Sequence, residues 1–234
     1  GGATLVTGGF DDVLRFAPLG GGGGGAYAGA ASTEKQPLAL ACSASSDLVA
    51  VVTPGAVRLH RGGAEASCVS KCTPWDPTCV ALLDGDAEIA VGGDDCKVRV
   101  YAVEGGGASL GAPAEIAPAH NGASSALAYS PPGEAPMLAV ADATREIKVY
   151  KRDGWAVQVE NVWRYHSTKI TGVSWAPSGA FLATGSLDET VYVWELASPR
   201  KFAAEIKYAH KDGVTCVGWL SDDQLVSGGN DGCV

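Results

Sequence analysis

The chain repeats itself. Set one under another, the segments GGFDDVLRFA from Gly8, GGDDCKVRVY from Gly92, GSLDETVYVW from Gly185 and GGNDGCV from Gly228 share one frame. Each opens on a small-residue pair, turns at an acidic residue and runs into an alternating, β-branched stretch. TPGAVRLH ending at His60 and ATREIKVY ending at Tyr150 are weaker copies. The frame ends at Ala17, His60, Tyr101, Tyr150 and Trp194, so successive copies lie 43, 41, 49 and 44 residues apart. Forty-odd residues are what one four-stranded antiparallel ribbon requires.

One period shows how the ribbon divides. TKITGVSWAP reads as a first strand, Ser178-Gly179 as a turn and AFLATGS as a second strand. Asp188-Glu189 turns the chain again, TVYVWEL is a third strand and KFAAEIKY a fourth. VYVW is apolar throughout, which suits a strand covered on both faces. Such a ribbon cannot bury both faces alone, and stacking it radially on its copies gives an all-β, WD-repeat β-propeller. Four complete blades are expected from about Gln36 to about Tyr208, with a partial blade on each side. Since about seven blades usually close the ring, residues 1–234 are expected to be one truncated propeller. A first residue Gly1 and a sole methionine at Met137 add to the expectation of a longer parent chain. The run Gly20 to Gly25, with Ala26 to Ala31, is expected to form a flexible surface loop over 20–31. It lacks the Gly-Lys-Ser/Thr that a phosphate-cradling loop needs.

Composition narrows the function. An apolar content of 46% in 234 residues suffices for a sizeable core. The net charge is −9 with no lysine or arginine cluster, so neither nucleic acid nor an anionic membrane is the expected partner. No stretch approaches the roughly 18 apolar residues of a membrane-spanning helix. The expected partner is another protein. Seven cysteines, an odd number, favour reduced thiols and a cytosolic setting. Cys68, Cys72 and Cys79 lack the paired spacing of a zinc site, so no metal is expected.

The residues that invite a catalytic reading are His166 and His210, because Asp188 follows the first by 22 residues and Asp231 follows the second by 21. An active site occurs once, whereas a recurring His-to-Asp interval belongs to the scaffold. No G-x-S-x-G pentapeptide is present. The expectation is a protein without catalysis or cofactor. Trp155, Trp163 and Tyr208 are either interface anchors or aromatics packed between blades.

WD repeats carry a hydrogen-bonded network within each blade. By that resemblance its members here are His166, Thr184 or Ser186, Asp188 and Trp194, and in the last blade His210, Ser227 and Asp231. In the blade ending at Tyr150, His120 is followed by Thr144 where the aspartate is expected, and Tyr150 replaces the tryptophan, which puts the network there in doubt. The blade ending at His60 has Pro54 at its turn and lacks the signature. The order of AVGGDDCKVRVY, LAVADATREIKVY, YHSTKITGVSWAPSGAFLATGSLDETVYVWELASP and AEIKYAHKDGVTCVGWLSDDQLVSGGNDGCV resembles the actin-interacting protein 1 family, in its carboxyl-terminal propeller. The likeness covers about residues 36 to 234 and is strongest after Trp163. It implies a monomeric cytoplasmic protein of two linked propellers at the actin cytoskeleton, which binds cofilin-decorated actin filaments and promotes their severing and disassembly. Actin-contact residues do not carry over, since much of that family's actin surface lies in the first propeller. A generic WD-repeat adaptor in another multiprotein assembly is the alternative, and an enzyme using channel residues is a third reading.

Overall fold

The computed structural model describes residues 4–19, 27–43, 45–83, 85, 87–133 and 135–234. Its regular elements are strands, apart from a single 3-10 turn at Asp153–Trp155. β1 (Thr4–Gly8), β2 (Val13–Pro18) and β3 (Gly29–Ser32) form a three-stranded sheet. Four sheets of four strands follow, each with its strands in chain order. The first holds β4 (Ala39–Cys42), β5 (Leu48–Thr53), β6 (Ala56–Arg61) and β7 (Ala64–Ser70). The second holds β8 (Pro77–Leu82), β9 (Glu88–Gly93), β10 (Val98–Glu104) and β11 (Ser109–Glu115). The third holds β12 (Ser124–Tyr129), β13 (Met137–Asp142), β14 (Ile147–Lys151) and β15 (Val157–Val159). The fourth holds β16 (Ile170–Trp175), β17 (Phe181–Ser186), β18 (Val191–Glu195) and β19 (Phe202–Ile206). β20 (Val214–Ser221) and β21 (Gln224–Gly229) pair at the end. The molecule is thus all-β and built of WD-repeat propeller blades, as the frame implied.

One expectation needs correction. Residues 20–26, with the whole glycine run, lie outside the described residues. Within the remainder of the 20–31 segment, however, Gly29, Ala30 and Ala31 belong to β3 and pair with Phe16, Arg15 and Leu14. An edge strand needs a backbone ladder more than large side chains, so a run too small to build a core still adds a strand.

The repeated frame is a repeated turn. The backbone N–H of Gly9, Gly93, Asp142, Ser186 and Gly229 donates to the carbonyl of Val13, Lys97, Glu146, Thr190 and Cys233, at 2.9–3.4 Å. The last residue inside each loop has a left-handed backbone: Asp12, Cys96, Arg145, Glu189 and Gly232, with φ from 58° to 75°. That is the geometry of a three-residue hairpin loop, a type I turn followed by one left-handed residue. Between β5 and β6 the chain instead turns on Pro54-Gly55, with Gly55 at φ 75°.

The chain divides into two compact units, Gly1–Val91 with Val100–Ala114 and Gly92–Arg99 with Glu115–Val234. In the first, β5 is buried along its whole length, and its two faces go to different partners. Val49 and Val51 cluster with Leu14 and Phe16, while Leu48, Ala50 and Val52 cluster with Leu59, Val80, Ile89, Val91 and Tyr101. Each fully buried valine or leucine contributes about 1.5–3 kcal/mol, so both faces stabilise the unit. In the second unit, first strands lie side by side and are stitched by tryptophans. Trp175 Nε1 donates to the Ala128 carbonyl at 3.0 Å, and Trp219 Nε1 to the Ser174 carbonyl at 3.1 Å. Gly185 is small because a Cβ there would stand 2.6 Å from Val214 Cγ1 on β20.

Gly55 tests the turn. The nearest atoms to a Cβ there are 3.8 Å or more away, so only its left-handed backbone resists a side chain. Gly55→Ala is expected to lower stability by about 1–2 kcal/mol, read as a lower urea midpoint with an unchanged m-value.

Candidate functional site

The polar groups suggested by the repeat converge at the turn end of the blade that ends at Trp194. His166 stands in the join before β16, Thr184 on β17, Trp194 on β18 and Asp188 in the turn between them. Trp194 Nε1 donates to Thr184 Oγ1 at 2.9 Å, Thr184 Oγ1 lies 2.9 Å from His166 Nε2, and His166 Nδ1 lies 3.0 Å from Asp188 Oδ2. Indole can only donate and carboxylate can only accept. The chain therefore has one consistent direction, with the Thr184 proton on His166 Nε2 and the Nδ1–H on Asp188. Asp188 also accepts the backbone N–H of Ser167 at 2.7 Å and of Thr190 at 3.0 Å. Burial alone would push its carboxyl up, but the His166 bond and the backbone donors bring it below the ordinary value. Ser186, the other candidate hydroxyl, stays outside this chain and receives the Asp188 N–H at 3.2 Å, bracing the turn.

The last hairpin repeats the arrangement, with His210 Nδ1 3.0 Å from Asp231 Oδ1 and Nε2 2.9 Å from Ser227 Oγ. The blade ending at Tyr150 rebuilds it from other residues. Asp142, at the end of β13 in the register position of Ser186, lies 3.2 Å from His120 Nδ1, and the Tyr150 hydroxyl lies 3.2 Å from Nε2. Thr144 does not replace the aspartate but serves it, donating to Asp142 Oδ1 from its backbone N at 2.8 Å and its hydroxyl at 2.7 Å. The network doubted for that blade is present, with its carboxylate two residues earlier. An available signal was the interval from His120 to Asp142, 22 residues like that from His166 to Asp188.

The blade ending at His60 lacks the network. His60 pairs with Val49, and Arg58 with Val51, so β5 offers no hydroxyl where β17 has Thr184. The His60 ring is fully buried, and among the described residues neither nitrogen has a hydrogen-bond partner. Burial pushes its pKa down, opposed by Glu65 and assisted by Arg58.

A second repeated contact was not anticipated. Two positions before the end of the third-strand frame stand Arg58, Arg99, Lys148 and Tyr192, each directed at a glutamate on the fourth strand or just after it. Arg58 pairs with Glu65, Arg99 with Glu115 at 3.4 Å, Lys148 with Glu160 at 2.9 Å, and the Tyr192 hydroxyl donates to Glu205 at 2.6 Å. The cationic side chains are no more than 8% exposed, so each glutamate compensates a nearly buried charge. The signal was a basic residue inside an otherwise apolar third strand.

The three aromatics divide. Trp163 is buried and stacked on Trp194 at 5.1 Å, Trp155 is half-buried, and Tyr208 is 83% exposed. Cys68 is exposed on β7, whereas Cys72 and Cys79 are buried. Among the described residues no three His, Cys, Asp or Glu side chains are grouped to hold a metal ion, and no helix is long and apolar enough to cross a membrane. What the assembled groups can do chemically follows from burial. His166, Thr184 and Trp194 are at most 2% exposed, and their protons are committed to one another.

Four-stranded blades closed by a recurring His–Asp pair define a WD-repeat protein. The chain matches the WD domain, G-beta repeat family over residues 158–195 and 203–234. It is 34% identical to the 66 kDa stress protein of Physarum polycephalum over 98% of its own length and 36% of that protein. It is 33% identical to actin-interacting protein 1 of Caenorhabditis elegans over 97% of its length and 36% of that protein. Against actin-interacting protein 1-2 of Arabidopsis thaliana it is 34% identical over 81% of its length and 30% of the relative. The chain belongs to the actin-interacting protein 1 family, and it spans about a third of the length of these curated relatives.

Two stability measurements test the geometry. His166→Ala takes one partner from Asp188 and the acceptor of its proton from Thr184, while the Ser167 and Thr190 amides and the Trp194 indole stay in place, and is expected to cost about 1–3 kcal/mol in all. Its melting temperature falls clearly below that of the parent; an unchanged value would remove the network. His60 carries a pH dependence. Its folded pKa lies below the ordinary 6.5, so below that pH the unfolded chain binds a proton that the folded one resists. Its contribution is complete above about pH 6.5 and is lost as the pH falls towards the lower folded value. His60→Leu is expected to flatten the decline in denaturant midpoint between about pH 6.5 and 5.

Proposed function

We propose that this chain is a non-catalytic WD-repeat scaffold that binds actin and works with cofilin in severing and disassembling actin filaments, at the actin cytoskeleton in the cytoplasm and as a monomer. The observation that carries the reading is its alignment, over nearly all its length, with relatives that bear the name actin-interacting protein 1. The site geometry supports the non-catalytic part. Three histidines stand against three aspartates in three successive units of the repeat, and in two of them the histidine also meets a second-strand hydroxyl. In this reading His166, Thr184, Ser186, Asp188, Trp194, His210, Ser227 and Asp231 hold the blade turns and touch no substrate.

The mechanism is then differential binding. A protein that holds the cofilin-decorated filament more tightly than the bare one shifts filaments towards the decorated, less stable form. It can do so only by as much as the two affinities differ. No bond in actin need be made or broken by this chain.

Sedimentation with filaments, run with and without cofilin on the full-length protein, measures that difference. Cofilin-dependent pelleting, with faster loss of filaments, is the expected result. Equal pelleting with bare filaments overturns the cofilin-dependent part, and no pelleting in either case overturns the actin reading.

A further inference from the structure

Hydroxyl residues followed by proline occur at Thr53-Pro54, Thr73-Pro74, Ser130-Pro131 and Ser198-Pro199. One class of protein kinases reads this dipeptide. Proline has no backbone N–H, so it fits an apolar pocket where any other residue would bury an unpaired donor. A basic residue three places after the hydroxyl strengthens recognition by pairing with carboxylates of the kinase. Ser198 alone among the four has it, in Ser198-Pro199-Arg200-Lys201.

The structure separates the four in the same way. Thr53 is fully buried. Ser130 is buried, and its hydroxyl receives the Met137 N–H at 2.9 Å. Thr73 is exposed, but its hydroxyl faces the Lys71 carbonyl at 3.5 Å, and the residue three places on is Asp76, of the wrong charge. Ser198 lies exposed in the turn between β18 and β19, between exposed Ala197 and half-buried Pro199, with Arg200 and Lys201 exposed beyond. Its hydroxyl has no hydrogen-bond partner among the described residues.

We propose that Ser198 is a phosphoacceptor for a proline-directed serine/threonine kinase. In the transfer, Ser198 Oγ attacks the γ-phosphorus of ATP, and the bond from that phosphorus to the β,γ-bridging oxygen breaks. ADP leaves, and the hydroxyl proton passes to a carboxylate of the kinase and on to solvent. The product phosphate carries about −1.5 to −2 charges near neutral pH and stands beside Arg200 and Lys201, which can pair with it.

The turn is tied to the core, and this sets how readily it is modified. Pro199 offers its carbonyl to Trp163 Nε1 at 2.7 Å, and Trp163 is 1% exposed and stacked on Trp194. Ser198 N donates to the Glu195 carbonyl at 3.2 Å and Lys201 N to the Ser198 carbonyl at 3.3 Å. A kinase takes its acceptor in an extended strand, so these three bonds open before transfer. Trp163→Phe keeps an aromatic ring on Trp194 and removes the donor to Pro199, and it is expected to speed phosphorylation.

The experiment uses the intact folded protein, a cyclin-dependent kinase and Mg·ATP, with the modified position mapped by mass spectrometry. Expected are one phosphate on Ser198, none there in Ser198→Ala, and kcat/KM several-fold lower in Lys201→Ala and higher in Trp163→Phe. Ser198→Ala and Lys201→Ala alter exposed side chains, and an unchanged melting temperature in both shows that lost phosphorylation is not lost folding. Phosphate on Thr73 in place of Ser198, or incorporation only after thermal unfolding, overturns the proposal. A Lys201→Ala rate equal to the parent's overturns the recognition argument. A Trp163→Phe rate equal to the parent's, with the variant folded, overturns the tether.

Discussion

A β-strand that is apolar on both faces is stable in water only when a neighbour covers each face, and every other property of this chain follows from that requirement. β5 shows it residue by residue. Its odd positions, Val49 and Val51, pack against Leu14 and Phe16, and its even positions pack against Val80, Ile89 and Tyr101. The central strands β5 and β9 are buried from end to end, while β7, at the edge of its sheet, holds only exposed and half-buried positions. Burial thus grades across each ribbon, and the smallest residues fall where one ribbon crosses the next, as Gly185 does against Val214.

Covering both faces leaves the polar turn ends buried, and each needs its hydrogen bonds supplied from within. The His–Asp pair is one solution, and the three copies show what is essential in it. In two the carboxylate comes from the turn, and in the third from Asp142 on the preceding strand. The second ring nitrogen meets a threonine, a serine or a tyrosine hydroxyl. Position in the sequence is negotiable; a satisfied carboxylate and a satisfied imidazole are not. His60 is the counterexample, since Val51 stands opposite Arg58 on β5, where β17 places Thr184 opposite Tyr192. A buried ring without partners costs free energy, and the apolar contacts around it must outweigh that cost.

The frame was visible in the amino-acid sequence because the turn demands a few residue types at fixed offsets, and the third strand demands a continuous apolar run. The four complete blades follow directly from it, and the recurring His-to-Asp interval is legible in it, whereas the full membership of the His166 and His210 networks rests on the resemblance to WD repeats. What escaped was whatever depends on backbone register across strands. Asp142 was overlooked because the aspartate was sought in the turn, although its side chain reaches the same ring from the strand end. The pairs linking Arg58, Arg99 and Lys148 to glutamates on or just after the fourth strand join residues far apart in the chain, and the fourth strands share no common residue pattern. The frame gives Trp175 and Trp219 no role, since the carbonyls they bind, of Ala128 and Ser174, belong to the neighbouring ribbon. β3 escaped because glycine and alanine are poor strand formers, though their backbone groups still pair with β2 at this edge.

The repetition also limits where function can lie. The histidines at the turns have their nitrogens committed to partners, and the nearly buried cations are each matched to a glutamate. Groups that serve the fold in one blade after another are not available to distinguish one ligand from another. Discrimination then falls to what is not repeated, such as Phe10 and Tyr208, whose exposures of 90% and 83% place large rings in solvent. Both rings stand at the turn side of their sheets, Phe10 in the loop after β1 and Tyr208 before His210. Each ring is carried beside a turn with its own backbone hydrogen bond, Gly9 N to the Val13 carbonyl around Phe10 and Ala209 N to the Glu189 carbonyl next to Tyr208, which reduces the ordering cost of binding.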